Sequence, residues 1–487
     1  MRSFLTVSVL TLLACANASA QTPSAEVRKF LKYDDDLIAL THVRIVDGTG
    51  AAAQENRTVV LRRGRIESVG DGAAALPAGA RVIDLPGRTL LPGLVGMHNH
   101  LMYTASINLD DEDKIPPPGF FVTELAFSAP RLYLAAGVTT MRTTGSIEPN
   151  TDLNIRRLID ELQIPGPHID VSGPYLEGSS SFFPQMAMHQ DPEQVRKTVA
   201  FWAGQGMTSF KAYMNITEAE LAAAIQETHR HGLKITGHLC AVSYRQATRL
   251  GIDDLEHGPV FTDSGFVPDR KPDVCPSGRE VMASWEKVDI DSVPVRALID
   301  DMVKARVALT STLPVFEASV TTRQPLSARQ MAMLSAESLR SYLNARASTA
   351  ATPGRSAAIE AALKKEMAFE LAFARAGGLL LAGPDPTGNG GVLPGSGDHR
   401  ELELLVEAGF TPLQAIRIAT QNGARYLGQL EHIGTVETGK RADLVVVKGD
   451  PSRNIKDIEN VELVFKDGLA YDPQKLIESV RGMVGIR

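Results

Sequence analysis

The sequence predicts an α/β protein: a (β/α)8 TIM barrel with a small β-sandwich-like satellite domain built from both chain ends. Three observations carry this expectation. Between residues 89 and 430, short apolar strands alternate with helical patterns, the mark of a parallel sheet or barrel. Eight strand candidates fall in that span, beginning at Thr89, Gly137, His168, Ser209, Lys234, Asp253, Arg306 and Gly378. Both ends of the chain instead read as short strands between Gly- and Ala-rich turns, such as Val43–Asp47, Thr58–Leu61 and Arg65–Val69 at one end and Ala442–Val447 and Val461–Phe465 at the other. No Gly-X-Gly-X-X-Gly follows the first strand, which weighs against a dinucleotide-binding open sheet.

Taken in order, residues 1–20 read as an export leader. Arg2 gives a positive start, Phe4–Leu13 an apolar run, and Ala18-Ser19-Ala20 a small-X-small cleavage pattern. The expectation is export, into a bacterial periplasm. The alternative is a lipoprotein anchored through Cys15, because Leu12-Leu13-Ala14-Cys15 resembles an imperfect lipobox. Residues 21–88 and 431–487 would form the satellite domain, and 89–430 the barrel. No later segment is long and apolar enough to span a membrane.

The formal charge is −7, and loss of Arg2 with the leader makes the remaining chain one unit more negative. That balance argues against nucleic acid as a partner. Helix starts are marked by Thr217-Glu218-Ala219-Glu220 and by Thr411-Pro412-Leu413-Gln414, both capping boxes. Helical patterns at Ser327–Ala345 and Ala357–Ala376 separate the last two barrel strands, the first being a candidate cap over the barrel mouth. Cys240 and Cys275 remain after the leader. They lie in neighbouring loops of one barrel face, so they either pair or stay as two separate thiols.

The chemistry lies at the strand ends. The apolar run Thr89–Val95 leads into His98-Asn99-His100. Residues two apart in a strand share a side, so both imidazoles reach one metal ion together. The fourth strand carries Lys211, the fifth ends in His238, the sixth in His257 and the eighth in Asp385. Each alone has an ordinary structural explanation. Together they sit at the same end of five strands, where a barrel gathers its catalytic groups.

This pattern closely resembles the amidohydrolase superfamily, in the binuclear branch with imidazolonepropionase-like and Xaa-Pro dipeptidase-like members. The strongest stretches are Pro92–His100 and Gly434–Leu444, and the likeness covers nearly all of residues 38–472. The resemblance implies that His98, His100 and Asp385 hold one divalent metal and that His238 and His257 hold a second. It implies that Lys211, carboxylated by CO2, bridges the two. An ammonium has no lone pair to offer a metal, whereas a carbamate offers two oxygens. Zn²⁺ suits this donor set, and other divalent metals fit it too. The implied reaction is attack of metal-bound hydroxide on an amide, with Asp385 as acid–base group.

The expected substrate is a small-molecule amide, peptide-like or an N-acyl amino acid. The alternative is ring opening of a cyclic amide or lactone. A metal-binding protein without catalysis is disfavoured because all six positions are filled. Deaminase chemistry is disfavoured because Leu239-Cys240-Ala241, with no Glu, follows His238. This chain departs from its relatives in reading Gly383-Pro384-Asp385-Pro386 at the eighth strand, where many have Gly-Thr-Asp. It also has Glu177–Pro184 in place of the Gly-Gly-His-Gly stretch common in dipeptidase-like members. Candidate substrate contacts are Tyr213, Arg142, His189 and His399, with Arg400 as a second fork for a carboxylate. Phe182, Phe183, Met186 and Met188 are candidates for an apolar wall. Association into a homo-oligomer is left open.

Overall fold

The computed structural model describes residues 22–106, 120–181, 183–387 and 391–485. The expected leader with Cys15, and Phe182, lie outside these residues. Eight short parallel strands form a TIM-barrel-like centre: β1 (Leu94–Gly96), β2 (Val138–Arg142), β3 (His168–Asp170), β4 (Ser209–Ala212), β5 (Lys234–Gly237), β6 (Asp254–Glu256), β7 (Ala308–Ser311) and β8 (Leu380–Ala382). The ladders come in two pieces, β1-β2-β3 and β4 through β8. Backbone bonds bridge the gaps. Gly173 N–H donates to Ser209 O at 2.8 Å beside β3 and β4, and Met97 N–H donates to Ala382 O at 2.8 Å beside β1 and β8.

Strand alternation decides what lies where. Phe210, Ile235, Leu255, Leu309 and Leu380 join the large apolar cluster shared with the helices. Their neighbours Lys211, Thr236, Asp254, Glu256 and Thr310 are also buried, on the opposite face of the strands. The barrel interior is therefore polar and charged near the ends of the strands.

Both chain ends build one nine-stranded sheet, in which Leu444–Lys448 pairs antiparallel with Arg88–Pro92. Its own core includes Ile38, Leu40, Leu61, Leu90, Val446 and Phe465. The sequence expectation of one strand from Thr89 to Val95 needs correction. The run splits at Gly93, with Arg88–Pro92 in the satellite sheet and Leu94–Gly96 in the barrel. Gly93 N–H donates to Asp443 O at 2.8 Å, and Leu94 N–H donates to Gly137 O at 2.8 Å. A Cβ on Gly93 would lie 2.0 Å from Thr139 Oγ1, so only glycine passes at this crossing.

The two capping boxes form as expected, at Thr217 and at Thr411 with Pro412 in the first turn. The pattern Ser327–Ala345 divides into Ala328–Met331 and Ala336–Ala351, because Ser335 caps a new helix. Ala336–Ala351 packs against the hairpin strand Met102–Ser106, which pairs with Phe120–Glu124. The sequence did not suggest this hairpin.

Candidate metal centre

The loops leaving β1, β5, β6 and β8, with β4 itself, bring the six expected residues together. The imidazoles run in a chain of contacts: ring centroids are 5.2 Å apart for His100 and His98, 4.5 Å for His98 and His257, and 4.2 Å for His257 and His238. Asp385 Oδ1 lies 3.2 Å from His100 Nε2 and 3.6 Å from His98 Nε2, and its Oδ2 lies 3.8 Å from His257 Nδ1. Lys211 Nζ stands 3.1 Å from His98 Nε2. The Tyr175 and Tyr213 rings flank this amine, their centroids 5.6 and 5.8 Å away.

Backbone geometry aims two of these side chains. His257 and Asp385 both take left-handed conformations, with φ of 73° and 51°. Such positions are uncommon outside glycine and concentrate at functional sites. The prolines on either side of Asp385 do not keep its carboxylate from the cluster. Asp385 N–H donates to His98 O at 3.0 Å, and Thr387 Oγ1 donates to Asp385 Oδ1 at 2.8 Å.

The electrostatics favour lone pairs over protons. Burial, then Lys211, holds His98 well below the usual imidazole range, and the same two causes take His238 down to about 3. Burial and the neighbouring imidazoles do the same to His257. Burial alone would raise the Asp385 carboxyl, but His98, His100 and Lys211 together hold it below the ordinary range. Burial brings the Lys211 amine down to about 8, against the pull of Glu256 and Asp385.

These residues fit a divalent cation. His98, His257 and Asp385 each offer a ligand atom, all within 4.8 Å of one another. Two donors each about 2.1 Å from one tetrahedral ion lie roughly 3.4 Å apart, within the range of separations around Asp385. Among the described residues His257 Nε2 is buried without a hydrogen-bond partner, a costly state for a polar nitrogen that has no ligand to hold.

Beneath His98 lies a charged layer that sequence reasoning missed. His98 Nδ1 meets Glu256 Oε2 at 2.6 Å. Arg142 Nη2 donates to Glu256 Oε1 at 2.8 Å and to Asp254 Oδ2 at 2.7 Å, and its Nε donates to Met97 O at 2.8 Å. Thr236 Oγ1 also donates to Glu256. Burial opposes the charge on Arg142, but Glu256 and Asp254 overcome it and raise its pKa. The available signal was the pair of acids two apart in an otherwise apolar strand, which puts both carboxylates on one face.

Three of the four expected substrate contacts are corrected. Arg142 is buried, with Nε and Nη2 bonded inside the barrel. His189 is buried, with Nδ1 3.0 Å from Glu177 O and Nε2 2.9 Å from Thr198 Oγ1. His399 is buried on the helix Ser396–Glu407, with Nε2 2.7 Å from Ala136 O. Each is bonded to polar groups of the protein. Arg400 likewise forks onto Glu317, with 2.7 Å to each carboxylate oxygen. Tyr213 alone stands in the cluster, its ring 5.0 Å from His238. Met186 packs with Met102, Val122 and Tyr175, and Phe183 lies against them, whereas Met188 is exposed. Cys240 and Cys275 are joined in a disulfide just beyond His238.

The amidohydrolase family profile matches residues 89–470. Solved structures of similar fold include a prolidase-like protein from Bifidobacterium longum, 24% identical, with TM-score 0.65 over 91% of this chain and 99% of that one. A Xaa-Pro dipeptidase with methionine bound in its active site is 19% identical, with TM-score 0.66 over 90% and 100%. The ochratoxinase of A. niger is 17% identical, with TM-score 0.63 over 93% and 100%. A curated relative, adenine deaminase 2 of Jannaschia sp. (strain CCS1), is 34% identical over 80 residues, which are 16% of this chain and 13% of that protein.

Proposed function

Because the chain belongs to the amidohydrolase family, we propose that it is a metal-dependent hydrolase of amide bonds in peptide-like or N-acyl amino acid substrates. The observation that carries this reading is the convergence of four imidazoles, Lys211 and Asp385 in one buried cluster. In it, His98, His100 and Asp385 would hold one divalent ion and His238 and His257 a second. Lys211 would complete the donor set as a carbamate, formed when its neutral amine adds to CO2, making the N–C bond and releasing one proton. The ions would supply Lewis acidity and lower the pKa of water.

The chain's own groups do the rest. The ionised Asp385 carboxylate takes the proton of the attacking water and passes it to the departing amide nitrogen, which leaves poorly unless protonated. The Tyr213 hydroxyl, kept protonated by burial, donates a hydrogen bond to the substrate. Thr312, at Nδ1 of His257, orients that ring. The same residues serve ring opening of a cyclic amide or lactone, so the test must include both substrate types.

Export belongs to this reading, with residues 1–20 as the leader, and the Cys240–Cys275 disulfide supports an oxidising compartment. The test is a screen of dipeptides, N-acyl amino acids, cyclic amides and lactones with metal-replete protein, alongside metal analysis. About two ions per chain with cleavage of a linear amide is the expected result. A purified protein that takes up no divalent metal, or a loaded one that cleaves none of the panel, overturns the reading.

A further inference from the structure

We infer that Glu256 is a positioning residue for the metal centre, and that Arg142 locks it in place. The inference rests on the metal-site reading above and concerns a side chain outside the proposed ligand set. Glu256 Oε2 receives His98 Nδ1 at 2.6 Å, and both side chains are fully buried. A carboxylate accepts and does not donate, so the proton of a neutral His98 sits on Nδ1. Nε2 then carries the lone pair and points toward Asp385 and Lys211. Metal-binding histidines commonly have such a partner on the other nitrogen, which fixes the tautomer and raises basicity.

The carboxylate is itself held from several strands. Its Oε1 takes Arg142 Nη2 from β2 and Thr236 Oγ1 from β5. The same Arg142 nitrogen reaches Asp254 on β6, and Arg142 Nε ties to Met97 O, one residue before His98. One guanidinium therefore fixes both the backbone that carries His98 and the carboxylate that orients its ring. Arg142, Asp254 and Glu256 are all buried, so their effect on catalysis passes through His98.

The experiment compares Zn²⁺ affinity of wild-type protein, Glu256→Gln and Glu370→Gln by competition with a chromophoric chelator, with urea unfolding of each metal-free protein alongside. Glu370 is a buried acid that accepts from Ser311 Oγ at 2.8 Å, outside the cluster. Expected is a 10–100-fold loss of Zn²⁺ affinity in Glu256→Gln beyond any change in Glu370→Gln. The Co²⁺-substituted variant should also show a shifted d–d spectrum. Wild-type affinity and spectrum in a folded Glu256→Gln protein overturn the inference while leaving the metal centre standing. If Glu256→Gln fails to fold, Thr236→Val and Thr310→Val replace it; they remove the hydroxyls that donate to Glu256 and, at 2.8 Å, to Asp254 Oδ2, and so loosen the clamp without removing charge. Unchanged affinity in both then overturns the inference. A wild-type protein that binds no Zn²⁺ overturns the metal-site reading, and the inference with it.

Discussion

Replacing both cysteines, Cys240→Ser with Cys275→Ser, opens a covalent loop whose ends are 35 residues apart. That loop contains β6, Glu256 and His257, and its first cysteine lies two residues beyond His238. For a loop of this length, chain entropy gives about 13 cal/mol/K, or about 4 kcal/mol at 25 °C. The released freedom is local, so the loss should appear first around β5 and β6. Pulse proteolysis across a urea series measures it, with hydrogen exchange on peptides spanning 234–262 locating it. The variant should unfold at lower urea, and those peptides should exchange faster than peptides from β1 and β2. Reduction of the wild-type protein should reproduce both effects. Alkylation of both thiols without reductant, or an unchanged urea midpoint in the double variant, would refute the reasoning.

Further outcomes follow from the same geometry. Asp385→Asn should retain much of its metal while turnover falls by about 10²-fold or more, because the amide cannot take the proton; near-normal kcat contradicts the proton-transfer role. Lys211→Ala should lower metal content, with partial recovery in millimolar acetate or propionate, and metal analysis with and without the acid reads this directly. Arg142→Met leaves Asp254 and Glu256 buried without their cation, so a destabilisation of about 3–5 kcal/mol is expected in urea, with a change under 1 kcal/mol counting against the clamp. Glu177 and Asp398 are each raised by burial to about 7. A folded-state pKa above the unfolded one gives stability that is present in acid and lost as pH rises through about 7. The urea midpoint should therefore fall between about pH 4, where the unfolded carboxyls ionise, and about pH 7, and level off above it; Glu177→Gln should flatten part of that fall, and an equal slope in the variant would remove Glu177 as a cause.

Much of the barrel was legible because each strand is a short apolar run set between helical patterns, and the eight expected starts lie close to the eight strands observed. The six clustered residues were legible for a related reason. Parallel strands all point one way, so residues at their C-terminal ends meet without knowledge of the loops. The Thr89–Val95 run was misread because hydropathy does not record which sheet a strand joins. That switch depends on Thr139 crowding Gly93, a contact between segments far apart in sequence.

The sequence by itself determined the alternation of elements, the helix caps and the residue types at the strand ends, since these follow from local periodicity and local hydrogen bonding. Tertiary structure decided which polar groups were already satisfied. Arg142, His189 and His399 look like free recognition groups in one dimension. Each is consumed by an acceptor brought from a distant segment or across a loop, and a buried donor must find such a partner. Tertiary structure also joined Cys240 to Cys275 and set Glu256 beneath His98, because both depend on distances between strands and loops that no spacing in the chain encodes.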